Sequence, residues 1–258
     1  MAIRKDVLLL AARDSLSNYL ATYPPRIFLV SVLPRTLLQV FFFSTVAMAA
    51  AGTAARSYAF VGASVQVMVL VTVVKAPDVL LDERPMGTMY RHRLGVVGLS
   101  PVIVTRWWVY AAEGVLDSLI AATLVGLAFG LPRLVTGMLV ATPLLVLISL
   151  STSAFGICVA VAAMAIGRAE TNIGGYLLLA LCGVVAPLSE LGAPLAAVAR
   201  VLPLTNGLLA IRAALSGSPW LGYALTEILV GALWLAIGLT SMGAYDRRVR
   251  RIGVADSD

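Results

Sequence analysis

Apolar stretches of roughly 20 residues recur along most of this 258-residue chain, and a helix of that length crosses a hydrocarbon core about 30 Å thick. Polar segments, prolines and glycines divide the stretches and set the predicted elements. Residues 3–20 place Leu8, Leu9, Ala12, Leu16, Tyr19 and Leu20 at i, i+4 spacings, with Arg4, Lys5, Arg13, Asp14, Ser17 and Asn18 mostly opposite. That is the pattern of an amphipathic helix lying in the membrane interface. Arg13 and Asp14 interrupt any signal-peptide core, so the N-terminus is expected to stay attached. Tyr23-Pro24-Pro25 breaks this helix, because neither proline carries a backbone donor.

Spans are predicted at 27–51 and 58–81. The stretch 81–101 is the most charged internal segment, with Asp82, Glu83, Arg84, Arg91, His92 and Arg93, and forms a loop outside the hydrocarbon. A third span, 106–130, opens on Arg106-Trp107-Trp108-Val109-Tyr110, an interfacial anchor, and closes on the turn Leu131-Pro132-Arg133. The fourth, 134–166, is longer than a crossing needs, and Pro143 predicts a kink or tilted approach. After a polar link at 167–172, the fifth, 173–187, is short for a crossing. Residues 188–218, apolar but interrupted by Pro194, Pro203 and several glycines, read as two short helices that re-enter the outer leaflet. The sixth span, 221–245, precedes a basic tail of Arg247, Arg248, Arg250 and Arg251.

The expected architecture is an all-α integral membrane protein of six transmembrane helices, with an N-terminal interfacial helix and re-entrant helices before the sixth, in a single domain covering 1–258. Composition agrees: 60% of residues are apolar, 12% charged and the mean hydropathy is +0.95, against about 25% charged residues in a soluble domain. The net charge of +6 is explained by orientation rather than by nucleic acid. Thirteen Lys and Arg fall on one side of the predicted spans and four on the other, which puts both termini and the 81–101 loop in the cytoplasm. Arginine outnumbers lysine, present only as Lys5 and Lys75, as in a high-GC bacterial genome, so the expected location is a bacterial plasma membrane.

Several chemistries are excluded. Lys5 is followed by Asp6 and Lys75 by Ala76, so neither lysine belongs to a P-loop and the chain does not bind ATP that way. Cys158 and Cys182 lack CxxC spacing and nearby histidines, so no metal site is indicated. His92, the single histidine, lies among cytoplasmic charges, which leaves no catalytic residues of an intramembrane hydrolase. Arg35, Lys75, Asp78, Glu113 and Asp117 are ionisable within spans, where such groups are costly and suggest function. Arg35, Lys75 and Glu113 lie at similar depth, and Glu113 and Asp117 share a helix face. They form either a structural ion-pair layer or part of a substrate or proton path. Gly126 to Gly130 matches GxxxG, chiefly a packing signal.

Two segments carry a resemblance. Asp82-Glu83-Arg84-Pro85-Met86-Gly87-Thr88-Met89 resembles the Glu-Arg-x-x-Gly-Thr signature in the cytoplasmic loop of the membrane subunits of type 2 ATP-binding-cassette (ABC) exporters, in particular those of drug or antibiotic exporters. Leu202-Pro203-Leu204-Thr205, followed by Arg212, is similar to that family's Pro-Leu-Thr motif with an arginine nine residues after the proline. Ser100-Pro101 comes later than in the family, which lengthens the loop helix by about a turn.

The resemblance implies a half-channel that pairs with a second permease, identical or homologous, in contact with membrane lipid. Two separate ATPase subunits would hold ATP and Mg. A cytoplasmic coupling helix between spans 2 and 3 would transmit their closure through Glu83, Arg84, Gly87, Thr88, Met89 and Arg91, while Pro203, Thr205 and Arg212 would belong to an outer gate. The cargo would be hydrophobic or amphipathic: a drug, antibiotic, peptide or lipid. Two alternatives are an ion-coupled transporter using Glu113 and Asp117, which lacks visible inverted repeats, and a lipid-modifying enzyme using Asp78, Asp82 and Glu83, which lacks a repeated acidic motif.

Overall fold

The computed structural model describes residues 5–75, 99–166, 182–184 and 187–252, which contain helices, turns and linkers and no strand. Helix α1, Lys5–Thr22, lies against the start of the third span. Ser15 Oγ donates to Arg106 O at 2.8 Å and Trp108 Nε1 to Ala12 O at 3.3 Å. The apolar stripe predicted for α1 divides here. Ala12 and Tyr19 turn toward the bundle, whereas Leu9, Leu16 and Leu20 are exposed, the arrangement of an interfacial helix with leucines available to acyl chains.

Helix α2, Pro25–Lys75, opens after Pro24 with proline at its first helical position, where the missing donor costs nothing. It contains two π-helical stretches, Phe28–Val32 and Leu70–Lys75. Straight, its 51 residues would far exceed a bilayer at about 1.5 Å per residue. Ala51 (φ −144°, ψ 17°) and Gly52 (φ 81°, ψ −167°) break it, the glycine taking a left-handed conformation closed to most residues. The second arm folds back on the first: Arg56 Nη1 reaches Met48 Sδ at 3.7 Å, and Arg35 acts electrostatically on Lys75.

Helix α3, Leu99–Ala128, ends at Gly130 (φ 66°). The predicted fourth span is a correction: it divides into α4, Pro132–Val140, and α5, Thr142–Ile166, with Ala141 (φ −76°, ψ 8°) out of helical geometry between them. Each begins with a proline in its first turn, a place where a missing donor is harmless, so Pro143 starts the span instead of kinking it. Helices α6, Ala193–Val201, and α7, Thr205–Leu215, form a pair bent by 92°, and α8, Leu221–Ile252, carries the last span through the basic tail. Four helices, α2, α3, α5 and α8, are long and apolar enough to cross a membrane, and the bent pair passes the same test only as a unit. The predicted fifth span, 173–187, and the 81–101 loop lie mostly outside the described residues.

The core joins Phe60, Met68, Leu145, Ile148, Leu204, Leu208 and Ile211, all fully buried. Small residues bring the helices together. A Cβ on Gly156 of α5 would collide with the Thr72 carbonyl oxygen of α2, where Thr72 Oγ1 and Thr152 Oγ1 are 2.9 Å apart. In the GxxxG match only Gly126 packs, against Val135 and Phe60, while Gly130 has open space around it and serves the turn. Because backbone cannot yield as a flexible side chain can, Gly156→Ala is expected to destabilise the fold by about 1–3 kcal/mol. Gly222→Ala, at a position with nothing within 4 Å, is expected to be neutral in the same thermal-unfolding measurement in detergent.

Candidate functional site

Two polar centres interrupt the apolar bundle. The first gathers side chains from α1, both arms of α2 and α3. Lys75 Nζ lies 2.5 Å from Glu113 Oε1, the one ion pair among the described residues, and 3.4 Å from Tyr19 OH. The same ammonium sits 3.6 Å from the centre of the Tyr23 ring and 4.9 Å from that of Tyr19, close enough for cation–π attraction. Tyr110 meets Tyr19 edge to face at 5.5 Å. Burial, reinforced by the Glu113 carboxylate, raises the Tyr19 phenol above its usual range. The Tyr19 hydroxyl accepts from Lys75 beside the Glu113 carboxylate. Asp117, 1% exposed, lies one turn deeper on the same helix face as Glu113. Glu113 Oε2 and Asp117 Oδ2 have no hydrogen-bond partner among the described residues.

The second centre surrounds the bent pair. Arg212, on α7, donates from Nη1 to Tyr58 OH and Gly183 O at 2.7 Å each, and from Nη2 to Tyr58 O and Val184 O at 3.1 Å each. Its guanidinium also stacks 3.4 Å from the Tyr58 ring centre. This planar fork pins α7 to the second arm of α2 and to 183–184, a task lysine's single ammonium cannot match. Gly62 makes room, since a Cβ there would collide with Val184 O.

On the other side of α7, fully buried Glu227 of α8 accepts the backbone N–H groups of Leu204 and Gly207 at 2.9 Å each. A mainly apolar cavity of about 350 Å³ between α3, α5 and α8 runs from Val104 and Trp107 to Glu227.

The family model of the ABC-2 type transporter matches residues 20–216. The chain belongs to the ABC-2 type transporter family. No curated protein and no solved structure matches it. This ABC-2 protein is thus a multi-pass transmembrane subunit of an ABC transporter, in a family of transport permeases that work with an ABC ATPase.

Within the ABC-2 chain, Lys75, Glu113 and Asp117 come together in one layer, with Arg35, exposed on the first arm of α2, near enough to act on them electrostatically. Thr205 and Arg212 belong to α7, and Pro203 sits in the turn that precedes it. Glu83, Arg84, Gly87, Thr88, Met89 and Arg91 lie outside the described residues. Sequence reading missed Glu227, whose signal was available as an acid inside an apolar span. It also missed Tyr58, which carried no signal of its own.

Removing one member of a buried pair leaves the other uncompensated, at a cost of about 3–5 kcal/mol. Lys75→Met is therefore expected to lower the thermal midpoint of the purified protein sharply. Lys75→Met combined with Glu113→Leu is expected to recover most of that loss, and a double variant no better than the single one would contradict the pairing.

Proposed function

We propose that this ABC-2 permease is the membrane half of an ATP-driven exporter of a hydrophobic or amphipathic compound, such as a drug, antibiotic, peptide or lipid. It pairs with a second permease, identical or homologous, in the bacterial plasma membrane and docks two ATPase subunits that hold ATP and Mg. The family match over 20–216 is the observation that carries this reading. The Glu83-Arg84-Pro85-Met86-Gly87-Thr88 segment supplies the coupling surface. Glu83, Arg84 and Arg91 meet the ATPase, Gly87 and Thr88 shape the loop helix, and Met89 faces the membrane helices. Both termini are cytoplasmic, and six spans, including 173–187, complete the half-channel.

The Lys75 centre stands where α2 leaves toward that loop. By tying α1 and α3 to the end of α2, it gives a push on the loop a stiff path into the bundle, instead of dissipating it in a frayed helix end. The bent pair, held by Arg212 at the far end of the same arm, serves as the outer gate with Pro203 and Thr205. In this reading the Lys75–Glu113 ion pair is a fastening, and the polar layer around it is not a proton path.

Mild-detergent purification of the tagged chain from its native operon, followed by mass spectrometry, is expected to recover an ABC ATPase with it. In the reconstituted complex, Glu83→Ala and Gly87→Pro are expected to leave assembly and basal ATP hydrolysis in place while lowering export severalfold. A chain recovered alone, or variants that export normally, would overturn the reading and turn attention to proton coupling by Glu113 and Asp117.

A further inference from the structure

The turn that joins α6 to α7 depends on a side chain from outside the pair. Leu204, the residue before α7, has φ 85°, a left-handed conformation rare for any residue with a branched side chain. Such a conformation persists only where the surroundings over-determine it. The first amides of a helix also have no partner within it, and here Leu204 N–H and Gly207 N–H both donate to the Glu227 carboxylate of α8. Glu227 in turn makes no ion pair among the described residues. Its charge is met by those amides and by the positive end of α7.

The carboxylate and the turn therefore each satisfy the other, and separating them leaves both exposed to hydrocarbon. Small residues in the neighbourhood allow this close approach. A Cβ on Gly207 would collide with Ile148 and reach Glu227 Cγ at 3.3 Å, and Gly231, one turn along α8, lies against Ser151. Trp234 Nε1 adds a second tie from α8, donating to Val201 O at 2.8 Å. Beneath the turn lies buried Cys182, its Sγ 3.5 Å from Pro203 O.

We propose that Glu227 is the positioning residue of the bent pair, a latch that holds the 202–207 turn shut over Cys182 and is released when the pair moves. The proposal rests on the reading of this pair as the outer gate of an exporter. Cys182 reports on it directly. The complete transporter complex in nanodiscs is treated with N-ethylmaleimide, and peptide mass spectrometry follows labelling at Cys182, with Cys158 as internal comparison.

Glu227→Gln keeps the shape but sets an amide NH2 against one of the backbone donors. It is expected to speed Cys182 labelling about tenfold or more, the shift that follows loss of a charge-assisted hydrogen bond, without changing Cys158. In the unaltered protein, ATP turnover is expected to speed Cys182 labelling as well. Unchanged labelling in Glu227→Gln would overturn the latch. Faster labelling in the variant, with no response to ATP turnover in the unaltered protein, would retain the contact and overturn the gate on which the proposal rests. Glu227→Asp, which keeps the charge and shortens the reach, provides the same reading if the glutamine variant fails to assemble.

Discussion

Hydrocarbon offers no hydrogen-bond partner to a charge or to an open helix end, and the rest of this structure follows from how the chain meets that constraint. Each unsatisfied group at membrane depth costs several kcal/mol, so polar groups inside the bundle determine which elements touch. Glu227 closes the start of α7, Arg212 ties the middle of α7 to α2, and Lys75 draws α1, α2 and α3 together through Glu113 and two tyrosines. The apolar core fills the space between these fastenings. It does not choose the register, because one leucine face packs on lipid about as well as on another leucine face.

The two polar centres divide the labour along the second arm of α2. Lys75 sits at one end of that arm and Tyr58 near the other, where Arg212 stacks on it. Between them the arm is buried almost without interruption, from Ala59 to Val69. Gly114 and Gly156 of its neighbours lie close against Met68 and Thr72. Packing of this density transmits displacement instead of absorbing it. This arm is therefore the physical link between the cytoplasmic loop of the proposed mechanism and its outer gate.

Much of this was legible in the sequence. The N-terminal helix, the helical character of the described residues, the apolar lengths and the bent pair between α5 and α8 follow from apolar periodicity broken by Pro24, Pro25, Pro203 and glycines. The division of the predicted 134–166 span was not read, because Pro143 fits either a kink within a helix or the first turn of a new one, and only the geometry at Ala141 decides. For the polar layer, depth along each helix brought Arg35, Lys75 and Glu113 to one level. The part played by Tyr19, in an apolar stripe, and by Tyr23, in the break before Pro24, was hidden because neither setting gives a sign of a tyrosine's partner. Glu227 was visible as an acid inside an apolar span, but its role was not: its partners are backbone amides, which have no sequence signature.

All of these roles depend on sidedness, with the Lys75 centre toward the cytoplasm and the bent pair toward the outside. Ser17 on α1 and Ser218 after α7 are both exposed, and single cysteines at these positions, treated in intact cells with a membrane-impermeant maleimide, measure it directly. Ser218→Cys is expected to label in intact cells and Ser17→Cys only after permeabilisation. The reverse pattern would place the gate beside the ATPase and contradict the account.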